Sequence, residues 1–150
     1  MGHTFSHILS HVVFSTKGRK NFLYKGIREP LYSYICGIAR SEGCPAIKVG
    51  GIEDHIHILL KLKPSVSISD IAGKIKANSC KWIHENHADL HDFSWQSGFS
   101  CFSVSESSKD DVVRYIESQE NHHGRIPFKI ELESFLKKHG IAYEPDHFLD

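Results

Sequence analysis

Apolar positions along the chain change their period several times, and the changes mark out its elements. His7–Thr16 (His-Ile-Leu-Ser-His-Val-Val-Phe-Ser-Thr) is rich in β-formers and predicts a first strand, closed by the basic turn Lys17-Gly18-Arg19-Lys20. Leu31, Tyr34, Ile35, Ile38 and Ala39 then recur at helical spacing, which predicts a helix over Arg28–Glu42 with Gly43 as its stop. Ala46–Ile52 predicts a short second strand, and a turn at Glu53-Asp54 leads into a third that carries His55-Ile56-His57-Ile58-Leu59-Leu60. Ser67 or Ser69 caps a second helix whose stripe is Ile68, Ile71, Ala72, Ile75, Trp82 and Ile83. His84–His91 is polar and irregular and predicts a loop, and Phe99–Val104 predicts a fourth strand.

The resulting order, β-α-β-β-α-β, is the ferredoxin-like plan: an α+β fold with a four-stranded antiparallel sheet and both helices on one face. Two more helices are expected after it. Ser107 or Ser108 caps the first, Asp110 and Asp111 complement its dipole, and Gly124 and Pro127 end it. The second runs over Phe128–His139, with Glu131 and Glu133 early, Lys137 and Lys138 late, and Gly140 as the stop. With no internal repeat and no long linker, residues 1–150 are expected to form a single domain.

Composition narrows the classes. A chain of 150 residues buries about two-thirds of its unfolded surface, so a sizeable core is available. No run is long enough for a membrane helix and no signal peptide opens the chain, so a cytoplasmic protein without membrane contact is expected. The four cysteines form no CxxC pair and read as reduced thiols. A net charge of zero argues against a globally basic nucleic-acid binder, but leaves local clusters such as Lys17, Arg19 and Lys20, or Lys74, Lys76 and Lys81.

The third strand carries the first candidate chemistry. Side chains alternate along a strand, so His55 and His57 share one face, roughly 6.6 Å apart, close enough to lean onto one divalent cation. Two histidines on a half-buried strand can equally do no more than hydrogen-bond, and with twelve histidines in the chain a His-x-His coincidence carries little weight alone. The third helix offers a second feature. Val112, Tyr115, Ile116 and Gln119 stand at i, i+3, i+4 and i+7 on one face. Tyr115 is either a core aromatic with a satisfied hydroxyl or one side of a cleft, with Gln119 one turn away. His122 and His123 follow directly and receive no role.

Taken together, two tracts resemble a known family. Gly50-Gly-Ile-Glu-Asp-His-Ile-His57 is similar to the His-hydrophobe-His signature of the HUH nucleases. Trp95-Gln-Ser-Gly-Phe-Ser-Cys-Phe-Ser-Val-Ser105, then Val113-Arg-Tyr-Ile-x-x-Gln119-x-x-His-His123, resembles the C-terminal block of the single-tyrosine HUH transposases of insertion sequences and their repeat-hairpin-associated relatives. The likeness runs from His11 to Tyr143, with a departure at Ser100 and Cys101, where that family often has glycine or alanine.

The resemblance implies a metal-dependent transposase that cleaves and rejoins single-stranded DNA through a 5′-phosphotyrosine. Tyr115 would be the nucleophile, and His55, His57 and Gln119 the metal ligands. Such a donor set suits Mn2+ by ligand softness, while cellular abundance argues for Mg2+. The resemblance also implies a hairpin-bearing single strand as substrate and a homodimer as the working form. Lys17, Arg19, Lys20, Lys74, Lys76 and Lys81 are the candidate phosphate contacts, each of which could equally be a solvated charge. Three other readings remain open. A replication-initiator or relaxase-type nickase would use the same four residues. A non-catalytic nucleic-acid-binding module could share the βαββαβ plan. A structural zinc protein is weakened by the absence of paired cysteines.

Overall fold

The computed structural model describes residues 2–121 and 126–149. Four strands, β1 (Ile8–Ser15), β2 (Ala46–Gly51), β3 (His55–Leu62) and β4 (Ser100–Val104), form one antiparallel sheet in the order β2-β3-β1-β4. The helices are α1 (Lys25–Ser41), α2 (Ile68–Asn86), α3 (Lys109–Glu117) and α4 (Phe128–Lys138). The sheet with α1 and α2 is the expected ferredoxin-like plan. Among the described residues no helix is long and apolar enough to cross a membrane.

Alternation along the strands sorts two faces. Val12 and Phe14 of β1 and Ile56, Ile58 and Leu60 of β3 point to one side, where they pack on α1 and α2 through Leu31, Ile35, Ile71 and Ile75 in the main core. Leu9, His11 and Val13 of β1, with His55, His57 and Leu59 of β3, occupy the other side. Two smaller apolar clusters hold α3 and α4 there. Leu9 and Leu59 pack on Ile116 of α3, while Val13 and Phe102 pack on Phe128, Leu132 and Leu136 of α4. The molecule is therefore three layers, and the histidines lie between the two clusters of the second face.

Several expectations shift at their edges. The first helix starts at Lys25 rather than Arg28, and Tyr34, expected in its buried stripe, is 39% exposed and stacks on Trp82 of α2. The segment expected as a loop at His84–His91 is instead the end of α2, which runs to Asn86, and a 3-10 turn over Ala88–Leu90. Buried Ile83 and Leu90 hold both against the core, so tertiary packing overrides the polar composition. Ser67 is the residue that caps α2, accepting from the Asp70 amide at 3.1 Å. Ser108 precedes α3 but makes no side-chain cap hydrogen bond. The expected helix stop at Gly124, together with His122 and His123, lies outside the described residues.

Gly50 sets how closely α3 approaches the sheet. A Cβ there would lie 2.7 Å from the Ile116 carbonyl oxygen and 2.8 Å from the Ile116 methyl, so only glycine lets the helix backbone settle on β2. Gly50 pairs with His57 across the ladder, and this contact delivers the middle of α3 to the histidine strand.

Candidate active site

His55 and His57 are both buried, and each has one ring nitrogen engaged away from the other ring. His55 Nδ1 donates to Asp54 Oδ1 at 2.7 Å, and His57 Nδ1 shares a 2.8 Å hydrogen bond with Nε2 of His11, itself buried on β1. Both Nε2 atoms consequently turn to a common point, as partners on the far nitrogen do in metal-binding histidines. A carboxylate stands there: Glu131 Oε1, from α4, lies 3.0 Å from His55 Nε2 and 3.2 Å from His57 Nε2.

α3 and the 3-10 turn that follows complete the group. Gln119 is in that turn (Ser118–Asn121) rather than in the helix proper, yet it still reaches the site. Its Oε1 is 3.3 Å from His55 Nε2 and its Nε2 donates to Glu131 Oε2 at 3.3 Å. Buried Arg28 donates to Glu120 at 3.0 Å and so fixes the same turn. Tyr115 points its hydroxyl inward and donates it to Glu131 Oε2, with its ring 5.6 Å from that of His57. A cavity of about 440 Å³ opens beside it, lined by Tyr115, Glu131, His11, Ser108, Phe135 and Lys138 among others. Tyr115, His55, His57 and Gln119, singled out from sequence, thus meet within one chain.

Charge in the cluster is tightly shared. Burial alone would lower the His55 pKa, but the Asp54 and Glu131 carboxylates outweigh it and raise it to about 9. His57, fully enclosed, is pushed down mainly by burial. Burial, and then His57, lower His11 to about 3. Burial would raise Glu131, yet its hydrogen bonds from the two imidazoles hold it far below the ordinary carboxylate range. Burial first, then the neighbouring Glu131, raise the Tyr115 hydroxyl. At neutral pH the cluster therefore holds a carboxylate, one imidazolium, two neutral rings and a protonated phenol.

The donor set fits a divalent cation. The ligand atoms of His55, His57 and Glu131 all lie within 4.8 Å of one another. A cation with ligands about 2.1 Å away has neighbouring ligands roughly 3 Å apart, the size of the His55–Glu131 and His57–Glu131 separations. Two imidazoles, a carboxylate and an amide offer the mixed nitrogen and oxygen donors that a divalent metal ion takes.

The six candidate phosphate contacts divide. Lys17, Arg19 and Lys20 are exposed in the turn after β1, at the sheet end where Ser15 pairs with His55. Lys74, Lys76 and Lys81 sit on α2, across the sheet from the histidines. Lys74 pairs with Glu42 at 2.9 Å, and Lys76 donates to the Ser97 and Gly98 carbonyls. The fold does not bring these three to the site.

Sequence reasoning missed Glu131 and His11. Glu131 read as a first-turn acid complementing a helix dipole, and only the folding of α4 onto the sheet shows it buried. His11 shares the alternation of Leu9 and Val13, but placing it against His57 needs the β1–β3 register.

A family model described as "Transposase IS200 like" matches residues 4–119, ending before α4. The ISDra2 transposase TnpA of Deinococcus radiodurans is 25% identical over 114 residues, which cover 73% of this chain and 81% of that one. The transposase for insertion sequence element IS200 of Salmonella typhimurium is 28% identical over 90 residues, or 60% of this chain and 59% of the relative. Two solved structures share the fold. One is a Deinococcus radiodurans protein described as a transposase, with a TM-score of 0.66 at 22% identity, covering 79% of this chain and 96% of that one. The other is a REP-associated tyrosine transposase bound to a REP hairpin, with a TM-score of 0.59 at 17% identity, covering 100% of this chain and 93% of that one.

Proposed function

The chain belongs to the IS200-like transposase family, and from that premise we propose that it cleaves and rejoins single-stranded DNA with Tyr115 as the nucleophile. His55, His57 and Gln119 hold the divalent cation, Mn2+ or Mg2+, in this reading. The observation that carries it is the Tyr115 hydroxyl inside the histidine cluster, one hydrogen-bonded residue from both imidazoles.

A divalent cation bound there supplies neutralisation of a non-bridging phosphate oxygen, which makes the phosphorus more electrophilic. The chain's own residues do the rest. Asp54 and His11 fix the histidine rings, Arg28 and Glu120 fix the turn of Gln119, and α3 aims Tyr115. In the reaction the Tyr115 hydroxyl gives its proton to water and its oxygen bonds to phosphorus. The bond to the 3′-oxygen breaks, and that oxygen takes up a proton from water. The phosphotyrosine keeps the energy of the broken ester, so attack by another 3′-hydroxyl rejoins the strand without a nucleotide cofactor.

The substrate in this proposal is a single strand carrying a hairpin, a reading supported by the REP hairpin on the structural relative. Lys17, Arg19 and Lys20 are the phosphate contacts that lie at the right end of the sheet. A homodimer belongs to the same proposal, since strand exchange needs two ends together. β2 and β4 each have a neighbouring strand on one side only, so the sheet offers two edges that a second copy could extend.

Incubating the protein with a hairpin-bearing oligonucleotide and Mn2+ tests the reading. A covalent protein–DNA adduct should form on denaturing gels. Tyr115→Phe should abolish it, a loss of about three orders of magnitude or more, with DNA binding nearly unchanged. An adduct of wild-type yield in Tyr115→Phe would show that another residue attacks.

A further inference from the structure

Glu131 is given no role in the cleavage proposed above, yet it touches Tyr115, Gln119 and both histidines. It is 7% exposed, and its ion-pair partners among the described residues are His55 and His57. Burying a carboxylate is costly unless charge and hydrogen bonds compensate, and a structural acid is ordinarily matched to an arginine or lysine. Here the neighbours are two imidazoles at 3.0 and 3.2 Å, the Gln119 amide at 3.3 Å and the Tyr115 hydroxyl.

The attraction of the histidines does not by itself account for Glu131's place. Phe128, Leu132 and Leu136 seat α4 on Val13 and Phe102, and this apolar seam directs position 131 into the site. Each imidazole has its far nitrogen committed to Asp54 or His11, so both near nitrogens face the same oxygen, Oε1. Two histidine nitrogens and one carboxylate oxygen converging from β3 and α4 make a two-histidine, one-carboxylate set.

We propose that Glu131 is the anionic ligand of the divalent cation, joining His55 and His57 through Oε1 while Oε2 holds the Tyr115 hydroxyl. The carboxylate then sets the nucleophile's place relative to the cation. It also ties α4, which lies beyond the residues matched by the family model, into the site. An anionic donor beside neutral ones strengthens binding of a hard divalent cation.

The inference rests on the proposed function only in sharing its cation, and it is tested without DNA. Mn2+ is titrated calorimetrically into wild-type protein, Glu131→Gln and Glu131→Ala. The isosteric glutamine should weaken binding by at least about tenfold and alanine by as much or more, while Glu131→Asp recovers part of the affinity. A second measurement uses wild-type protein alone. Saturating Mn2+ should slow amide hydrogen exchange in α4 together with β3. Wild-type or tighter affinity in both Glu131→Gln and Glu131→Ala would overturn the proposal, as would α4 exchange indifferent to Mn2+ while β3 is protected. Adduct formation with DNA is a separate readout, so its absence would count against the proposed reaction and leave the ligand assignment standing.

Discussion

His55 is the residue where burial and charge oppose each other most visibly. Its pKa is raised from the ordinary 6.5 to about 9 by Asp54 and Glu131 against its own burial, so the metal-free native state holds a proton that the unfolded chain has released. The linked stability is fully present below 6.5 and is lost as pH rises through about 9, on the order of 3 kcal/mol in all. His11 works on the other side. Lowered to about 3, it refuses a proton that the unfolded chain accepts, so stability also falls as pH drops below 6.5. Urea unfolding in the presence of a chelator should therefore give a maximum near 6.5 and an alkaline decline that His55→Asn flattens. Stability constant or increasing between 6.5 and 9 would contradict this account of the cluster.

At the scale of elements, the strand and helix periods make most of the fold legible, because each periodicity reports a face that must be buried. Alternation alone places His55 and His57 on one face, and helical spacing places Tyr115 and Gln119 together, even though Gln119 is in a 3-10 turn. Glu131 and His11 were not legible for a physical reason. A helix-start acid is explained locally by the dipole, and a strand histidine by alternation, so neither signals the tertiary contact that defines it. Lys74, Lys76 and Lys81 show the converse, since spacing along α2 says nothing about which layer α2 occupies. Gly50 enters the sequence reading only within the second strand and the tract before His55, yet it governs the seating of α3. Gly50→Ala should cost about 1–3 kcal/mol in unfolding free energy by pressing on Ile116, and should reduce adduct formation more than DNA binding. Unchanged stability with unchanged cleavage would mean that α3 is not held at this contact.

For the whole molecule, three layers let the sheet serve two purposes. One face supplies the main core with α1 and α2, and the other carries a polar cluster enclosed by α3 and α4. In the homodimer that the family resemblance implies, a tyrosine helix can serve its own site or its partner's. Here Tyr115 reaches the histidines of its own chain. Mixing His57→Ala with Tyr115→Phe, each inactive alone, should restore no cleavage even when the subunits exchange. Recovered activity would place the working tyrosine on the partner. The most direct measurement is the identity of the attacking atom. After reaction with a hairpin-bearing single strand and Mn2+, followed by nuclease and trypsin digestion, mass spectrometry should find a phosphonucleotide on the peptide containing Tyr115, at that tyrosine. The same mass on any other residue, or a cleaved strand with no protein-linked nucleotide, would contradict the account.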